Sequence, residues 1–358
     1  MKTVLVTGVL GQDGANMVEY LLSLPEEYMV YGMMRRSANP NLINTENFRH
    51  HPNFEFVYGD LTDNASIDYL VEDYKPDYFI NFAANSFVGV SWDMPEQVMD
   101  VNCLGVLRCM SSIRKFKPDC KFYSAGSSEE WGDVDYSPQD IKHPIKPRSP
   151  YGASKAAARH LVKVFRESHG LYAVHGILFN HEGTKRGEEF VTRKITKGVA
   201  NIFHQIKNQK NITPLELGNL EAKRDWSDSE DFVKGVWLMM NQKEPKDYIL
   251  SSDETHSIRE FVEKAFKVAH IEGYWEGEGQ EETYNLANDL AEEHGISQTT
   301  LVKINSNFYR PAEVSLLWGD SSPIREELGW KPQVSFDKLV QKMVDYDLDC
   351  EKSTSCSL

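Results

Sequence analysis

The chain has 358 residues, 41% hydrophobic and 26% charged, a balance close to that of globular proteins and sufficient for one large domain or two ordinary ones. A formal net charge of -15 argues against nucleic acid or an acidic lipid surface as a partner, although a few clustered Arg and Lys residues can still hold a phosphorylated ligand. Five cysteines without C-x-x-C spacing argue against a disulfide scaffold or a zinc site, and no metal is expected. No apolar run reaches the roughly 18–20 residues that span a bilayer, and the N-terminus runs directly into a strand pattern, so a cytoplasmic protein with no membrane partner is expected.

In chain order, Thr3–Thr7 reads as a strand and Ala15–Ser23 as the helix after it. Met29–Met34 is a second strand, followed by strand patterns at Phe54–Tyr58, Tyr78–Phe82, Lys121–Ser124 and Val174–Phe179. Helical patterns lie between them at Ile67–Tyr74, Glu96–Phe116 and Tyr151–Ser168. This alternation predicts a parallel sheet flanked by helices over residues 1–180. Beyond about Asn180 the alternation breaks down, which predicts a smaller mixed α/β lobe over 181–349 with helices at Ile258–Ala269 and Phe336–Leu348. The Glu- and Gly-rich stretch Gly273–Gly295 reads as an exposed excursion, and Cys350–Leu358 as a frayed tail.

The first strand ends in Gly8-Val-Leu-Gly11-Gln12-Asp13-Gly14, and a helix follows at once. Glycines in this place permit a tight turn and let backbone N–H groups approach a pyrophosphate at a helix N-terminus, the arrangement of a Rossmann-type dinucleotide site. The strand before and the helix after are the context the motif requires. At the end of the second strand, where an NAD enzyme would carry Asp or Glu, this chain has Arg35-Arg36-Ser37, two cations and a hydroxyl suited to the 2′-phosphate of NADP. Asp60-Leu61 after the third strand and Ala83-Ala84 after the fourth are further candidates, for the adenine and for close backbone approach.

Ser149-Pro-Tyr151-Gly-Ala-Ser-Lys155 is the central chemical clue. Tyr and Lys four apart on a helix share a face, and a neighbouring ammonium favours phenolate, which lowers a tyrosine pKa from about 10 towards neutrality. Tyr151 is then a candidate general base for a hydroxyl whose carbon gives up hydride, with Lys155 also near the nicotinamide ribose. Upstream, Ser127 ends a strand as a candidate donor to the reacting oxygen. Glu129 is either a second base, for a proton next to a newly formed ketone, or with Glu130 a solvated loop acid.

These residues, together with long runs such as Arg148-Ser-Pro-Tyr-Gly, Gly176-Ile-Leu-Phe-Asn-His-Glu182, Leu217–Trp226 and Tyr309–Val314, resemble the GDP-mannose 4,6-dehydratases of the extended short-chain dehydrogenase/reductase superfamily. The resemblance covers nearly the whole chain, from Val6 to Pro332. It implies NADP in the first lobe, a GDP-linked sugar in the second, and a homo-oligomer, dimer or tetramer, in which Ser37–Phe48 could join neighbouring cofactor sites. It implies that Tyr151 and Lys155 are the active-site pair, that Ser127 stands where threonine is usual, and that Glu129 is the dehydratase carboxylate. Glu130 falls where the family usually has an apolar residue. By the same resemblance, Ser86, His181 and Arg186 join the cofactor residues. Ser86, Asn180, Val191, Lys194, Leu217, Gly218, Asn219 and Glu313 face the substrate, with Arg224 and Arg310 suited to its pyrophosphate.

The implied reaction oxidises C4 of the sugar, eliminates water across C5 and C6, and returns the hydride to C6, leaving the cofactor unchanged. Asn85, Phe87 and Gly89 depart from the family's usual Gln, His and Lys near the sugar, so GDP-manno-heptose is an alternative substrate to GDP-mannose. An NDP-sugar epimerase, a 4-keto reductase and a catalytically silent NADP-binding protein are the other readings.

Overall fold

The structure is a computed structural model that describes residues 1–309, 314 and 316–355. The first region alternates β1 (Lys2–Thr7), α1 (Gln12–Ser23), β2 (Tyr28–Met34), β3 (Phe54–Tyr58), α2 (Asn64–Tyr74), β4 (Tyr78–Asn81), α3 (Pro95–Met99), α4 (Gly105–Phe116), β5 (Lys121–Ala125), α5 (Pro150–His169) and β6 (Ala173–Leu178). After β6 come β7 (Asn180–Glu182), α6 (Val191–Lys207), β8 (Leu215–Leu217), β9 (Lys223–Arg224), β10 (Trp226–Asp228), α7 (Ser229–Met240) and β11 (Tyr248–Leu250). The remainder is β12 (His256–Ser257), α8 (Ile258–Val268), β13 (Gly273–Glu276), β14 (Thr283–Leu286), α9 (Asn288–His294), β15 (Thr300–Ile304), β16 (Leu316–Leu317), α10 (Ser322–Leu328) and α11 (Phe336–Ser355).

Seven parallel strands form the main sheet in the order β3-β2-β1-β4-β5-β6-β11. Side chains of β1 alternate between its two faces. Val4 and Val6 pack with Met17 of α1, Phe232 and Val236 of α7, and Trp330. Leu5 packs on the other face with Phe79, Phe122, Met110 of α4 and Val162 of α5. All six residues of β6 are buried, as expected of a strand covered on both sides. The Rossmann-type sheet flanked by helices is therefore the observed architecture.

Residues beyond 180 do not form a separate block. Helix α7 covers one face of the main sheet and β11 becomes its seventh strand, so the two lobes are interleaved rather than divided at residue 180. The second lobe is built on helices α6, α8 and α11 and the mixed sheet β13-β14-β15-β8. Gly273–Gly295 is not the expected excursion. It contains β13, β14 and α9, and places Tyr284, Leu286 and Ala291 in the second core. Its glutamates mask a short alternation, because Glu276 is exposed on the strand that pairs with β14. The tail likewise departs from expectation, since α11 continues past Cys350 to Ser355. Extending an existing helix needs only one more hydrogen bond per residue, so apolar residues are not required there.

The single helix expected over Glu96–Phe116 is interrupted by a π-helical turn at Asp100–Leu104. Such a turn inserts one residue and re-aims a side chain. Here Asn102 is buried, accepts the Asn85 N–H at 2.8 Å, and donates to the Asn85 carbonyl at 3.1 Å and the Ser154 hydroxyl at 3.1 Å. It thereby clasps the loop after β4 to α5.

An ion pair ties α5 to the junction of β6 and β11. Arg166 of α5 donates to both oxygens of Asp247, at 2.7 and 3.0 Å, and the same carboxylate accepts the backbone N–H of His175 at 2.8 Å. Burial opposes ionisation of Asp247, but Arg166 outweighs it and holds the carboxyl below its ordinary value. Asp247→Ala is expected to destabilise the protein by about 2–4 kcal/mol, because it strands a guanidinium and an N–H. An unchanged denaturation midpoint in urea would show that this junction does not depend on the pair.

Candidate active site

One cleft of about 1650 Å³ lies across the carboxyl ends of β1 to β6 and the facing surface of the second lobe. This is where open parallel sheets collect ligands. Every expected site residue within the described set lines it, while Arg310 and Glu313 lie outside the described residues.

The first end of the cleft is a cradle of backbone. Gly8 has φ +69°, and a Cβ there would stand 2.8 Å from the Ala83 nitrogen. A Cβ at Gly14 would stand 2.3 Å from the Gly8 carbonyl oxygen. Neither position can carry a side chain without moving backbone. Thr7 ties the floor together, donating to Asn81 Oδ1 at 2.6 Å and accepting the Ala83 N–H at 3.0 Å. Helix α1 begins at Gln12 without a side-chain cap, so its first N–H groups are directed at the cleft, and the Gln12 Oε1 atom is buried without a partner. These features fit a dinucleotide pyrophosphate. Exposed Arg35 and Arg36 follow β2 on the same wall, Asp60 and Leu61 follow β3, and Ala83, Ala84 and Ser86 follow β4.

Asp13 and His181 close this end, with the carboxylate 2.9 Å from Nε2 and Nδ1 donating to the Phe179 carbonyl at 2.7 Å. Burial disfavours the charged forms of both, yet their mutual attraction prevails, raising the His181 pKa and lowering that of Asp13. Arg186 lies 3.5 Å over the Phe190 ring and 3.0 Å from Glu182.

The candidate acid–base residues sit at the N-terminus of α5. Ser149 caps the helix by accepting the Gly152 N–H at 3.0 Å, and Pro150 occupies the first turn, where its missing N–H is harmless. Tyr151 and Lys155 follow, one turn apart and both buried. The Lys155 ammonium donates to the Ala125 carbonyl at 2.7 Å and lies 5.8 Å from the centre of the Tyr151 ring. Burial pulls the Lys155 pKa down to about 8, partly opposed by Glu130 and Asp13. Burial pushes Tyr151 up to about 12, with a Ser127 hydrogen bond opposing it. The tyrosine is therefore not brought towards neutrality, because the loss of hydration exceeds the effects of Ser127 and Arg186 that favour the phenolate.

Ser127 starts a short 3₁₀ turn, Ser128–Glu130, and caps it by accepting the Glu129 N–H at 3.2 Å. Glu129 and Glu130 are both buried, which removes the solvated-acid reading. They point to different places, for Glu129 lines the cleft and Glu130 does not.

On the second lobe, Asn180, Val191, Lys194, Leu217, Gly218, Asn219 and Arg224 face the same cleft. Lys194 stands 3.4 Å over the Phe308 ring, and burial lowers its pKa. Gly218 passes so close to Phe308 that a Cβ would meet its carbonyl at 2.8 Å. Sequence reasoning missed the aromatic seats, Phe190 and Phe308, and the clasp Asn102. An aromatic residue four positions after Arg186 on one chain segment is a faint signal for the first, and nothing local announces the other two. Among the sugar-side departures, Phe87 meets Phe190 edge-on at 5.9 Å, Gly89 lies against the Phe87 ring, and Asn85 is the residue clasped by Asn102.

The fold and cleft are those of the short-chain dehydrogenase/reductase type of nucleotide-sugar enzyme. Among solved structures, the dTDP-glucose 4,6-dehydratase of Bacillus anthracis in complex with NAD superposes with a TM-score of 0.78 over 98% of each chain at 18% identity. RMD from Pseudomonas aeruginosa complexed with NADPH gives 0.74 over 98% of this chain and 100% of that one, at 19% identity. In sequence, the profile of the GDP-mannose 4,6 dehydratase family matches residues 5–343. The GDP-mannose 4,6 dehydratase of Drosophila melanogaster is 40% identical over 97% of this chain and 86% of that protein. The human protein of the same name is 39% identical, over 96% and 91%, and that of Yersinia enterocolitica 38%, over 98% and 95%. The chain belongs to the GDP-mannose 4,6 dehydratase family. Among the described residues no helix is long and apolar enough to cross a membrane, and no group of three His, Cys, Asp or Glu could hold a metal ion.

The depressed Lys155 pKa carries a stability consequence with a definite sign. Between about pH 8 and 10.5 the unfolded chain holds a proton on this lysine that the native chain has released, so this contribution to stability rises with pH across that window. Below it the native state bears the full cost of a buried ammonium. Lys155→Met is expected to be about 1–3 kcal/mol more stable than the parent at pH 7, with the difference shrinking towards pH 10.5, while turnover is lost. Paired denaturant titrations at both pH values check this, and a less stable variant at pH 7 would mean that the Ala125 hydrogen bond outweighs the burial.

Proposed function

We propose that this chain is a hydro-lyase that converts GDP-mannose to its 4-keto-6-deoxy product with NADP as a resident redox cofactor. The observation that carries the reading is the buried carboxylate of Glu129, set two residues from Ser127 in the cleft shared by Tyr151 and Lys155. An epimerase or a reductase needs the tyrosine and lysine but has no use for that acid.

A dinucleotide held by the Gly8–Gly14 turn would supply the hydride acceptor for C4 of the sugar and the hydride donor for C6. Tyr151 accepts the O4 proton, with Ser127 donating to the same oxygen and Lys155 supplying positive charge beside the phenol. The resulting ketone acidifies C5–H, and Glu129 removes that proton. Delivered to the C6 hydroxyl, the same proton lets water depart. The proton first taken from O4 balances the one restored to C5, so the net change is loss of one water. Asn180, Lys194, Asn219 and Arg224 hold the nucleotide end, with the Arg224 guanidinium suited to pyrophosphate oxygens. His181 and Arg186 close the cofactor end beside Asp13.

Support for NADP over NAD comes from Arg35 and Arg36 after β2, where an NAD enzyme would carry a carboxylate. Cytoplasmic location accords with Cys103, Cys109 and Cys120, which are buried and outside any disulfide. A homo-oligomer joined through Ser37–Phe48 remains part of the proposal on family resemblance. The substitutions Asn85, Phe87 and Gly89 beside the sugar favour a second reading in substrate only, a GDP-manno-heptose in place of GDP-mannose.

Mass-resolved turnover of both GDP-sugars tests the reaction. The product is expected to be lighter by one water, whereas unchanged mass would indicate an epimerase and a gain of two hydrogens a reductase. Strong preference for the heptose would move the assignment to that sugar. Glu129→Gln is expected to retain oxidation at C4 and to lose elimination by about 10²-fold or more, the usual scale for a lost acid–base group. Equal loss of both steps would reduce Glu129 to a binding role. For the cofactor, Arg35→Asp is expected to weaken NADP binding by roughly tenfold or more while sparing NAD, since a carboxylate repels the 2′-phosphate. Equal loss for both dinucleotides, measured by fluorescence titration, would remove the NADP assignment.

A further inference from the structure

Behind the cleft lies a group of charges that the reaction scheme above does not use. Glu130 is fully buried, and its Oε1 accepts the backbone N–H of Ser127 at 2.8 Å. The same oxygen lies 2.8 Å from Nε2 of His175, which is also fully buried on β6. Because a carboxylate can only accept, that nitrogen carries the hydrogen. Arg159 approaches the second oxygen at 3.8 Å. Arg159 follows Lys155 by four residues on α5, as Lys155 follows Tyr151, so the three lie along one stripe of the helix. Three elements thus meet at one carboxylate: the turn after β5, helix α5 and strand β6.

A buried carboxylate in this position is costly unless it is paired, and merely filling the space would need no charge. Two of its effects fall on catalytic groups. It holds the backbone of Ser127, and its negative charge acts on Lys155 and Tyr151 through the low-dielectric floor of the site. We propose that Glu130, held by His175 and Arg159, is a positioning residue for the reaction, locking the Ser127 turn against α5 and supplying the buried countercharge beside which Lys155 works. This rests on the reading of Tyr151 and Lys155 as the acid–base pair.

The charges that face this pair come from several elements: Glu129 and Glu130 on the turn after β5, Asp13 on α1, and Arg186 before α6. Glu130 raises the pKa of both Tyr151 and Lys155. Removing its charge therefore lowers both. Glu130→Gln keeps an oxygen for Ser127 and His175 but no charge. Its kcat–pH profile is expected to shift as a whole to lower pH by roughly half to one unit, the scale of one charge lost at intermediate range. Arg159→Gln, which leaves the carboxylate undercompensated, is expected to move both limbs the other way.

The measurement is mass-resolved turnover of GDP-mannose and GDP-manno-heptose across pH by the full-length parent and both variants, with a thermal melt of each. A purely structural Glu130 would lower the melting temperature and leave both limbs in place, and that result overturns the inference. If Glu130→Gln is not recovered folded, Arg159→Gln decides alone, with unmoved limbs counting against the proposal. Absence of turnover of either sugar by the parent at every pH would instead remove the functional reading on which this one rests.

Discussion

Lys155 carries an ammonium into a part of the fold from which water is almost wholly excluded, and much of the surrounding architecture answers that requirement. Its hydrogen bond to the Ala125 carbonyl fixes it at the carboxyl end of β5. Asp13 and Glu130 provide negative charge at the ends of two other elements, and against the cost of burial each carboxyl is held below its ordinary value by its neighbours, His181 for the first and His175 and Arg159 for the second. The site is therefore a set of mutually dependent ionic pairs laid over the ends of parallel strands. Removing the partner of Asp13 or of Glu130 leaves a carboxylate buried and unmatched, and such a charge is far more expensive than a missing contact.

The same arrangement explains why Tyr151 resists ionisation in its surroundings. Burial raises its pKa to about 12, so the phenol holds its proton until further positive charge arrives beside it. The positively charged nicotinamide ring of an oxidised dinucleotide would supply such a charge. Ser127 acts against that resistance, because its hydrogen bond to the phenol favours the ionised form.

What could be read in the sequence was what depends on neighbours along the chain. The glycine turn between β1 and α1, the cations after β2, and the four-residue spacing of Tyr151 and Lys155 are local patterns, and the structure brings all of them to one cleft. Glu130 was passed over because its partners, His175 and Arg159, lie 45 and 29 positions away, and only the meeting of β6 with α5 shows what its carboxylate does. The π-helical turn at Asp100–Leu104 escaped because one inserted residue barely disturbs a 3.6-residue periodicity. Gly273–Gly295 misled through its composition, since glutamates on an exposed strand face conceal the few apolar residues that pair inward. Tyrosine burial was equally hidden, for a sequence records the neighbouring lysine but not the lost water.

The interleaving of the two lobes bears on how the chain can acquire its structure while leaving the ribosome. When residue 180 emerges, six of the seven strands exist, but the face of the sheet bearing Val4, Val6 and Leu178 still lacks α7, Ile324 and Trp330. Those covers arrive only after the second lobe has begun to be made, the last of them some 150 residues later. The dinucleotide-binding half thus cannot mature first and wait for its companion. An apolar sheet surface stays uncovered during much of translation, and surface of that kind is what makes an incomplete chain prone to aggregate.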